Sequence, residues 1–256
     1  MALTDYKTIN VRFDGPICFL QMNRPDAGNA INELMVEECG RVLQICEESA
    51  TVIVLEGLPE VFCVGADFSE ITDKAKSGQA APAPEPLYDL WLKLATGPYV
   101  TIAHVRGKVN AGGVGFVSAC DIVLANDKAV VSLSELLFGL FPACVLPFLI
   151  RRVGFQKAHY LTLTTSPVPV QQAHEWGLFD AWAPESDALV RKHLLRLRRL
   201  SKPGIERYKR YMQRISDLPL QMKSYAIQAN KEIFSDSGIL DGIVRFREEG
   251  KFPWEA

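Results

Sequence analysis

The sequence predicts an α/β fold, and three observations carry that prediction. Short β-branched apolar runs recur: TVIVLEG at 51–57, VTIAHV at 100–105 and IVLA at 122–125. Runs of that length and composition read as buried parallel strands. Segments with helical apolar spacing alternate with them, which argues for helices covering a parallel sheet. After Ser166 the chain turns mostly helical, through VQQAHEWGL, DALVRKHLLRLRRL, PGIERYKRYMQRI and LQMKSYAIQANKEIF. The expected organisation is a core over residues 1–195 and a helical C-terminal subdomain over 196–256.

The elements follow in order. VRFDGPICFLQMN reads as strand, Asp14-Gly15 turn and strand, a β-hairpin. From Ile31 to Glu48, Ile31, Leu34, Met35, Cys39, Val42, Leu43 and Cys46 recur at helical spacing, with Asn29 as a candidate cap. KAKSGQAAPAPEP at 74–86 is rich in Ala, Pro, Gly and Ser and reads as a surface loop, a candidate lid. No internal repeat is visible.

Composition narrows the function classes. The chain has 256 residues, 48% of them hydrophobic and 23% charged, enough for a packed core without staples. A formal net charge of −2 excludes a globally basic nucleic-acid binder. The six cysteines, Cys18, Cys39, Cys46, Cys63, Cys120 and Cys144, form no CxxC pair and no zinc spacing, so reduced packed thiols are expected and no metal. MALTDYKTINVRFDG lacks the apolar core of a signal peptide, and no uncharged apolar stretch reaches membrane-spanning length. A cytoplasmic location and no membrane partner are expected.

Two loops follow strand-like runs: PEVFCVGADFSEI and GKVNAGGVGF. Strand carboxyl ends are where open α/β sheets bind ligands, and small residues let a ligand approach the main chain. Free N–H groups at a helix start favour negative charge. Two such loops can aim two N–H donors at one developing oxyanion. AGGVG is neither GxGxxG nor a phosphate loop, and close helix–strand packing explains either loop alone equally well.

Taken together, these segments resemble the crotonase (enoyl-CoA hydratase/isomerase) superfamily. NRPDAGNAINELMVEEC resembles its early Asn-Arg-Pro segment and first helix. FCVGADFSEI resembles the Phe-x-x-Gly-Ala-Asp loop, and VRGKVNAGGVGFVSACDIVLA the glycine-rich loop, helix and Cys-Asp. SLSELLFGLFP resembles the Pro-Glu-x-x-x-Gly-x-x-Pro segment with Ser134 in place of proline, and QQAHEWGLFDAWAP the late helix and strand. The resemblance implies a ββα spiral core with a helical C-terminal trimerisation subdomain, giving a homotrimer or dimer of trimers. It implies no cofactor. It also implies that the N–H groups of Ala66 and Gly112 hold a thioester carbonyl.

Hydratases of this superfamily use two glutamates. Aligned on Cys120-Asp121, the first falls at Gly115 and is absent here; the second falls at Glu135 and is present. The resemblance therefore implies a single-glutamate member with Glu135 as general acid/base, since a carboxyl at an apolar site has a raised pKa. VLEGLPEVFCVGADF, EPLYDLWLKLATGPYVTIAHVRGKVNAGG, SLSELLFGLFPACVLPFLIRRVG and the ending GKFPW resemble one branch: the first hydratase-like enzyme of bacterial polyketide β-branching cassettes. That resemblance implies dehydration of a 3-hydroxy-3-methylglutaryl group to 3-methylglutaconyl. The substrate would ride on the phosphopantetheine of an acyl carrier protein, and a decarboxylase would act next.

The distal carboxylate of such a substrate needs a cationic or hydrogen-bonding partner, for which Tyr88, Lys93, Arg106 and Lys108 are candidates, while Asp67 either binds substrate or orders its loop. His104, within an apolar strand, reads as a satisfied core histidine. The basic stretch 191–214 contains Leu194, Leu195, Leu197 and Leu200 as a buried helix side. Its arginines, Arg198 and Arg199 foremost, are a solvated face, a carrier-protein docking site or an RNA site. The rival readings are the decarboxylase of the same pathway, an acyl-CoA hydratase or isomerase, and a non-catalytic RNA- or protein-binding homologue.

Overall fold

The computed structural model describes residues 6–255; residues 1–5, which open the MALTDYKTINVRFDG segment, and residue 256 lie outside the described residues. The chain begins with the expected hairpin, β1 (Ile9–Asp14) and β2 (Ile17–Met22), paired antiparallel from Ile9 opposite Met22 to Asp14 opposite Ile17. Gly15 makes the turn at φ +57°, a conformation that costs glycine nothing.

The first helix, α1 (Glu33–Ser49), is capped by Asn32, whose side chain accepts from the Met35 N–H at 2.9 Å. This corrects the expectation for Asn29. That residue is fully buried at φ +56° in the preceding loop, accepting from the Arg24 N–H and donating to the Met22 and Phe62 carbonyls. Met35, Cys39, Val42, Leu43 and Cys46 form the buried face of α1. Each large side chain among them contributes about 1.5–3 kcal/mol by leaving water. Glu38 is buried on the same helix. Burial raises its pKa, but the Thr8 hydroxyl and the N–H groups of Lys7 and Thr8 outweigh that and hold it below the usual carboxylate value.

The chain then winds between two sheets. β3 (Val52–Glu56), β4 (Val61–Cys63), α2 (Phe68–Lys76) and α3 (Glu85–Thr96) make one turn. β5 (Val100–Val105), β6 (Lys108–Asn110) and α4 (Gly112–Ala119) make the next. β7 (Ile122–Ala125), β8 (Val130–Ser132), a 3₁₀ turn at Glu135–Phe138 and α5 (Leu146–Val153) follow, then α6 (Phe155–Thr164), β9 (Val168–Pro169), α7 (Val170–Glu175) and β10 (Ala181–Trp182). The larger sheet runs β1-β2-β3-β5-β7-β10 and the smaller β4-β6-β8-β9. Each turn thus gives one strand to each sheet and then a helix. β2, β3, β5, β7 and β10 are mutually parallel, as are β4, β6 and β8. Nearly every residue of α4 is buried, so this helix is apolar all round, as a helix enclosed by packed elements must be.

Five helices complete the chain: α8 (Ser186–Leu197), α9 (Lys202–Ile215), α10 (Leu218–Gln221), α11 (Lys223–Ser235) and α12 (Ser237–Glu249). The expected boundary at 195/196 falls inside α8. The basic stretch 191–214 is likewise two helices, because α8 stops at Leu197. Leu194 is buried, but Leu195 and Leu200 are exposed, against expectation. The Lys202 ammonium caps the carbonyls of Cys46, Ala50 and Pro98, and Lys209, itself buried, pairs with Asp121 at 2.5 Å. Two of the stretch's cations therefore fasten the helices to the core. The candidate lid is also shorter than expected. α2 runs into it as far as Lys76 and α3 begins at Glu85, leaving 77–84 irregular.

The cysteines are all unpaired and buried. Burial pushes the Cys39, Cys63, Cys120 and Cys144 thiols up to about 12, which keeps them unreactive. His104 is the expected satisfied core histidine, with Nδ1 3.0 Å from Glu56 and Nε2 2.9 Å from the Ser186 hydroxyl. Among the described residues no helix is long and apolar enough to cross a membrane, and no cluster of His, Cys, Asp and Glu has metal-binding geometry.

Candidate active site

Three loops meet because three strands are neighbours. β4, β6 and β8 run parallel in one sheet, with Cys63 opposite Val109 and Asn110 opposite Ser132. Their carboxyl ends therefore open side by side, about 4.8 Å apart from strand to strand. β4 leads into Gly65, Ala66 and Asp67; β6 into Ala111 and Gly112; β8 into Ser134 and Glu135.

The first two loops interlock through backbone. Gly65 sits at φ +102°, and a Cβ there would lie 2.7 Å from the Ala111 Cβ. Ala111 itself adopts φ +49°, ψ −123°, a sparsely populated conformation for a residue with a side chain. It is held there by donating to the Ser132 carbonyl at 3.1 Å and by capping α4. Ile31 forms a parallel bridge to Ala66, accepting from the Asp67 N–H and donating to the Gly65 carbonyl. The Ala66 N–H is thereby turned away from Ile31, and the Gly112 N–H is the first of α4. Neither donates to any of the described residues, and both residues line the same cavity. This pair is what an oxyanion hole requires: main-chain donors fixed before substrate arrives.

Asn110 ties the three loops together, and sequence reasoning did not single it out. Its amide donates to the Val64 carbonyl and to the Ser134 hydroxyl, and its carbonyl oxygen accepts from Ser132 at 2.8 Å. Ser134, standing where the resembled segment has proline, supplies one of those contacts. An asparagine at the end of a strand-like run carries no signal of its own, so only the strand register reveals this role.

Glu135 starts the 3₁₀ turn and lines the cavity. The residue is half-buried, but its Oε2 is buried without a hydrogen-bond partner among the described residues. Desolvation lifts its pKa to about 7. The turn is roofed by α12 and the tail: Phe138 packs edge-on against Phe68 at 5.3 Å and Phe246 at 5.0 Å, with Phe252 beside them. Ion pairs Lys76–Glu248 and Arg247–Asp73 fasten α12 to α2 above the site.

At Gly115 the structure adds a reason for the missing acid. A Cβ there would lie 2.4 Å from the Trp91 ring, so the indole fills the space a longer side chain would enter. The cavity measures ≈ 1540 Å³ and is mainly apolar, with Leu87, Leu90, Phe68 and Phe138 in its wall. That exceeds the usual small-ligand range and leaves room for a long arm.

The other candidates divide. Tyr88 is fully buried, donates to the Pro219 carbonyl at 2.6 Å and does not line the cavity, so it is a core residue and not a substrate contact. Arg106 also lies off the cavity and donates to the Gly57 carbonyl at 2.8 Å, 3.9 Å from Glu56. Asp67 lines the cavity, yet both its oxygens are engaged: one caps α2 through Ser69 and Glu70, the other pairs with Arg24 at 2.8 Å. It orders its loop. Lys93 and Lys108 border the cavity, Lys93 lying 3.6 Å from Glu47 and Lys108 having no side-chain partner among the described residues. Arg198 pairs with Asp14, Arg199 is exposed, and neither reaches the cavity.

Comparison with known proteins places the chain in a family. Residues 12–256 match the enoyl-CoA hydratase/isomerase family. The chain is 60% identical to bacillaene synthase dehydratase PksH of Bacillus subtilis over 100% of this chain and 99% of that one. It is 29% identical to 2,3-dehydroadipyl-CoA hydratase of Escherichia coli over 87% of this chain and 82% of that one. A crystal structure of the Bacillus subtilis polyketide biosynthesis enoyl-CoA hydratase superposes with a TM-score of 0.95, covering 97% of this chain and 100% of that chain at 60% identity. The sheets wound as a ββα spiral are the crotonase fold, and the chain belongs to the enoyl-CoA hydratase/isomerase family.

Proposed function

We propose that this chain is a dehydratase, a hydro-lyase of polyketide biosynthesis, that converts 3-hydroxy-3-methylglutaryl-acyl carrier protein to 3-methylglutaconyl-acyl carrier protein. The observation that carries the reading is the carboxyl of Glu135. It has a pKa raised to about 7, lines the cavity that the two free N–H groups also line, and has no second acid at residue 115. The 60% identity to a protein named as a bacillaene synthase dehydratase supports it.

The chemistry follows from the parts. The N–H groups of Ala66 and Gly112 hold the thioester oxygen and stabilise the enolate, each donor supplying about 2.7–4 kcal/mol in the transition state. Glu135 as carboxylate takes the C2 proton. It then returns that proton to the C3 hydroxyl as the C3–O bond breaks, so the C2=C3 bond forms and water leaves. A pKa near ambient pH suits one group to both transfers. Because the cycle starts from the carboxylate, kcat/KM rises as pH increases through about 7. The apolar cavity takes the phosphopantetheine arm, and Lys108 or Lys93 meets the distal carboxylate. Carrier docking at Arg198 and Arg199, assembly as a trimer or dimer of trimers, and hand-over to a decarboxylase belong to the same reading.

The test is to load 3-hydroxy-3-methylglutaryl onto a carrier protein, add enzyme and follow the thioester by mass spectrometry. Loss of water alone is expected, and Glu135→Gln lowers its rate about 10²–10⁴-fold. No change in the carrier-bound group, with turnover of a short enoyl-CoA instead, would overturn the reading. Substrate lacking the distal carboxylate, compared in wild type, Lys93→Ala and Lys108→Ala, identifies the variant that no longer distinguishes the two.

A further inference from the structure

Trp91 is almost wholly buried on α3, yet its indole N–H has no hydrogen-bond partner among the described residues. Buried indoles ordinarily satisfy that donor, because an unpaired N–H out of water is costly. The ring is wedged edge-on between Phe116 and Phe148, both with centroids 5.8 Å away. The same ring lines the catalytic cavity and occupies the space over Gly115, with three of its atoms 2.4–2.7 Å from where a Cβ would stand.

A second orphan belongs to another residue lining the same cavity: Oε2 of Glu135, buried and likewise unpaired. The two are not bonded to each other. A buried donor and a buried carboxyl oxygen, each without a partner and carried by residues of one cavity wall, suit a guest oxygen that accepts from the first and exchanges a proton with the second. A hydroxyl leaving as water has that character.

We propose that the Trp91 indole N–H is a hydrogen-bond donor to the C3 hydroxyl of the substrate, holding that oxygen while it departs. This rests on the dehydratase reading above. The indole gives up no proton: Glu135 supplies the one that converts the hydroxyl to water, and Trp91 stabilises the negative charge that builds on oxygen as the C–O bond stretches. An indole N–H cannot accept a proton, so every proton transfer stays with Glu135. Gly115 is then the residue that makes room for this donor.

Trp91→Phe keeps an aromatic ring and deletes the donor. On the carrier-bound 3-hydroxy-3-methylglutaryl substrate, kcat falls about 10²-fold, the cost of losing one donor to a developing oxyanion, with the thermal midpoint and KM little changed. The second readout is the Trp91 indole resonance in ¹⁵N-labelled protein, assigned among the four tryptophans by its absence from Trp91→Phe. In Glu135→Gln protein, which binds without turning over, the resonance moves downfield with the 3-hydroxy substrate and not with the 3-methylglutaryl analogue lacking the hydroxyl. A kcat within about twofold of wild type in Trp91→Phe, or a resonance that responds equally to both ligands, overturns the proposal. If wild type fails to dehydrate this substrate, the dehydratase reading fails instead. The same resonance comparison with 3-hydroxybutyryl and butyryl thioesters then still decides whether Trp91 binds a C3 oxygen.

Discussion

Two halves of one cavity are built on different principles. The half formed by Gly65, Ala66, Ala111 and Gly112 is main chain, held by a close approach of Gly65 to Ala111 and by the bridge from Ile31 to Ala66. The half formed by Glu135 and by Trp91, whose ring fills the space beside Gly115, is side chain, set by volume and desolvation. On the proposed reading the backbone half would serve any thioester enolate, since it would read only an oxyanion. The side-chain half would then decide what happens at C3, because proton transfer needs particular groups with particular pKa values. A family can therefore keep the first half and vary reaction through the second.

Three substitutions break this comparison, in descending order of effect. Gly65→Ala attacks the backbone half. Its Cβ would lie 2.7 Å from the Ala111 Cβ at a φ of +102°, so the two loops separate. With an oxyanion donor displaced, kcat falls about 10²–10³-fold in steady-state assay while the thioester still binds. Gly115→Glu attacks the side-chain half. Its Cβ would lie 2.4 Å from Trp91, and overpacking there destabilises the fold by about 1–3 kcal/mol in urea titration. Trp91→Ala in the same chain relieves most of that loss. Glu135→Gln, read by stability and not by turnover, probes desolvation. Burial raises the folded pKa of Glu135 from 4.5 to about 7, so the folded state binds the proton more tightly than the unfolded chain. The resulting stabilisation is complete below about pH 4.5 and is lost as pH rises through about 7. At pH 8 the glutamine variant is more stable by about 2 kcal/mol, or roughly 4–8 °C in Tm, and the difference shrinks toward pH 5.

The structure also shows why some residues were legible and others not. VIVL is apolar at every position and VTIAHV at all but Thr101 and His104, and burying both faces of such runs calls for a central parallel strand; both are so placed. The two small-residue loops stood out because they depart from core composition, and Glu135 through the resemblance of its segment to the family's Pro-Glu segment. Asn110, Asn32 and Trp91 did not, since each acts through a neighbour fixed by register: Ser134 and Val64 for Asn110, the Met35 N–H for Asn32, the empty side of Gly115 for Trp91. Tyr88 and Arg106 misled for the same reason, being close in sequence to the site while Tyr88 is buried in the core and Arg106, just past the end of β5, turns to the Gly57 carbonyl.

The sequence by itself determined the alternation of strand and helix and the two small-residue loops, which follow from hydrophobic periodicity and residue type and are local; that one acid stands where hydratases carry two is what the family resemblance implied. Tertiary structure alone decided that β4, β6 and β8 lie side by side, so that Ala66, Gly112 and Glu135 share one cavity, and that a tryptophan from α3 fills the space Gly115 leaves. Such meetings depend on strand order and packing volume, which link residues far apart in the chain and leave no mark on the residues between them.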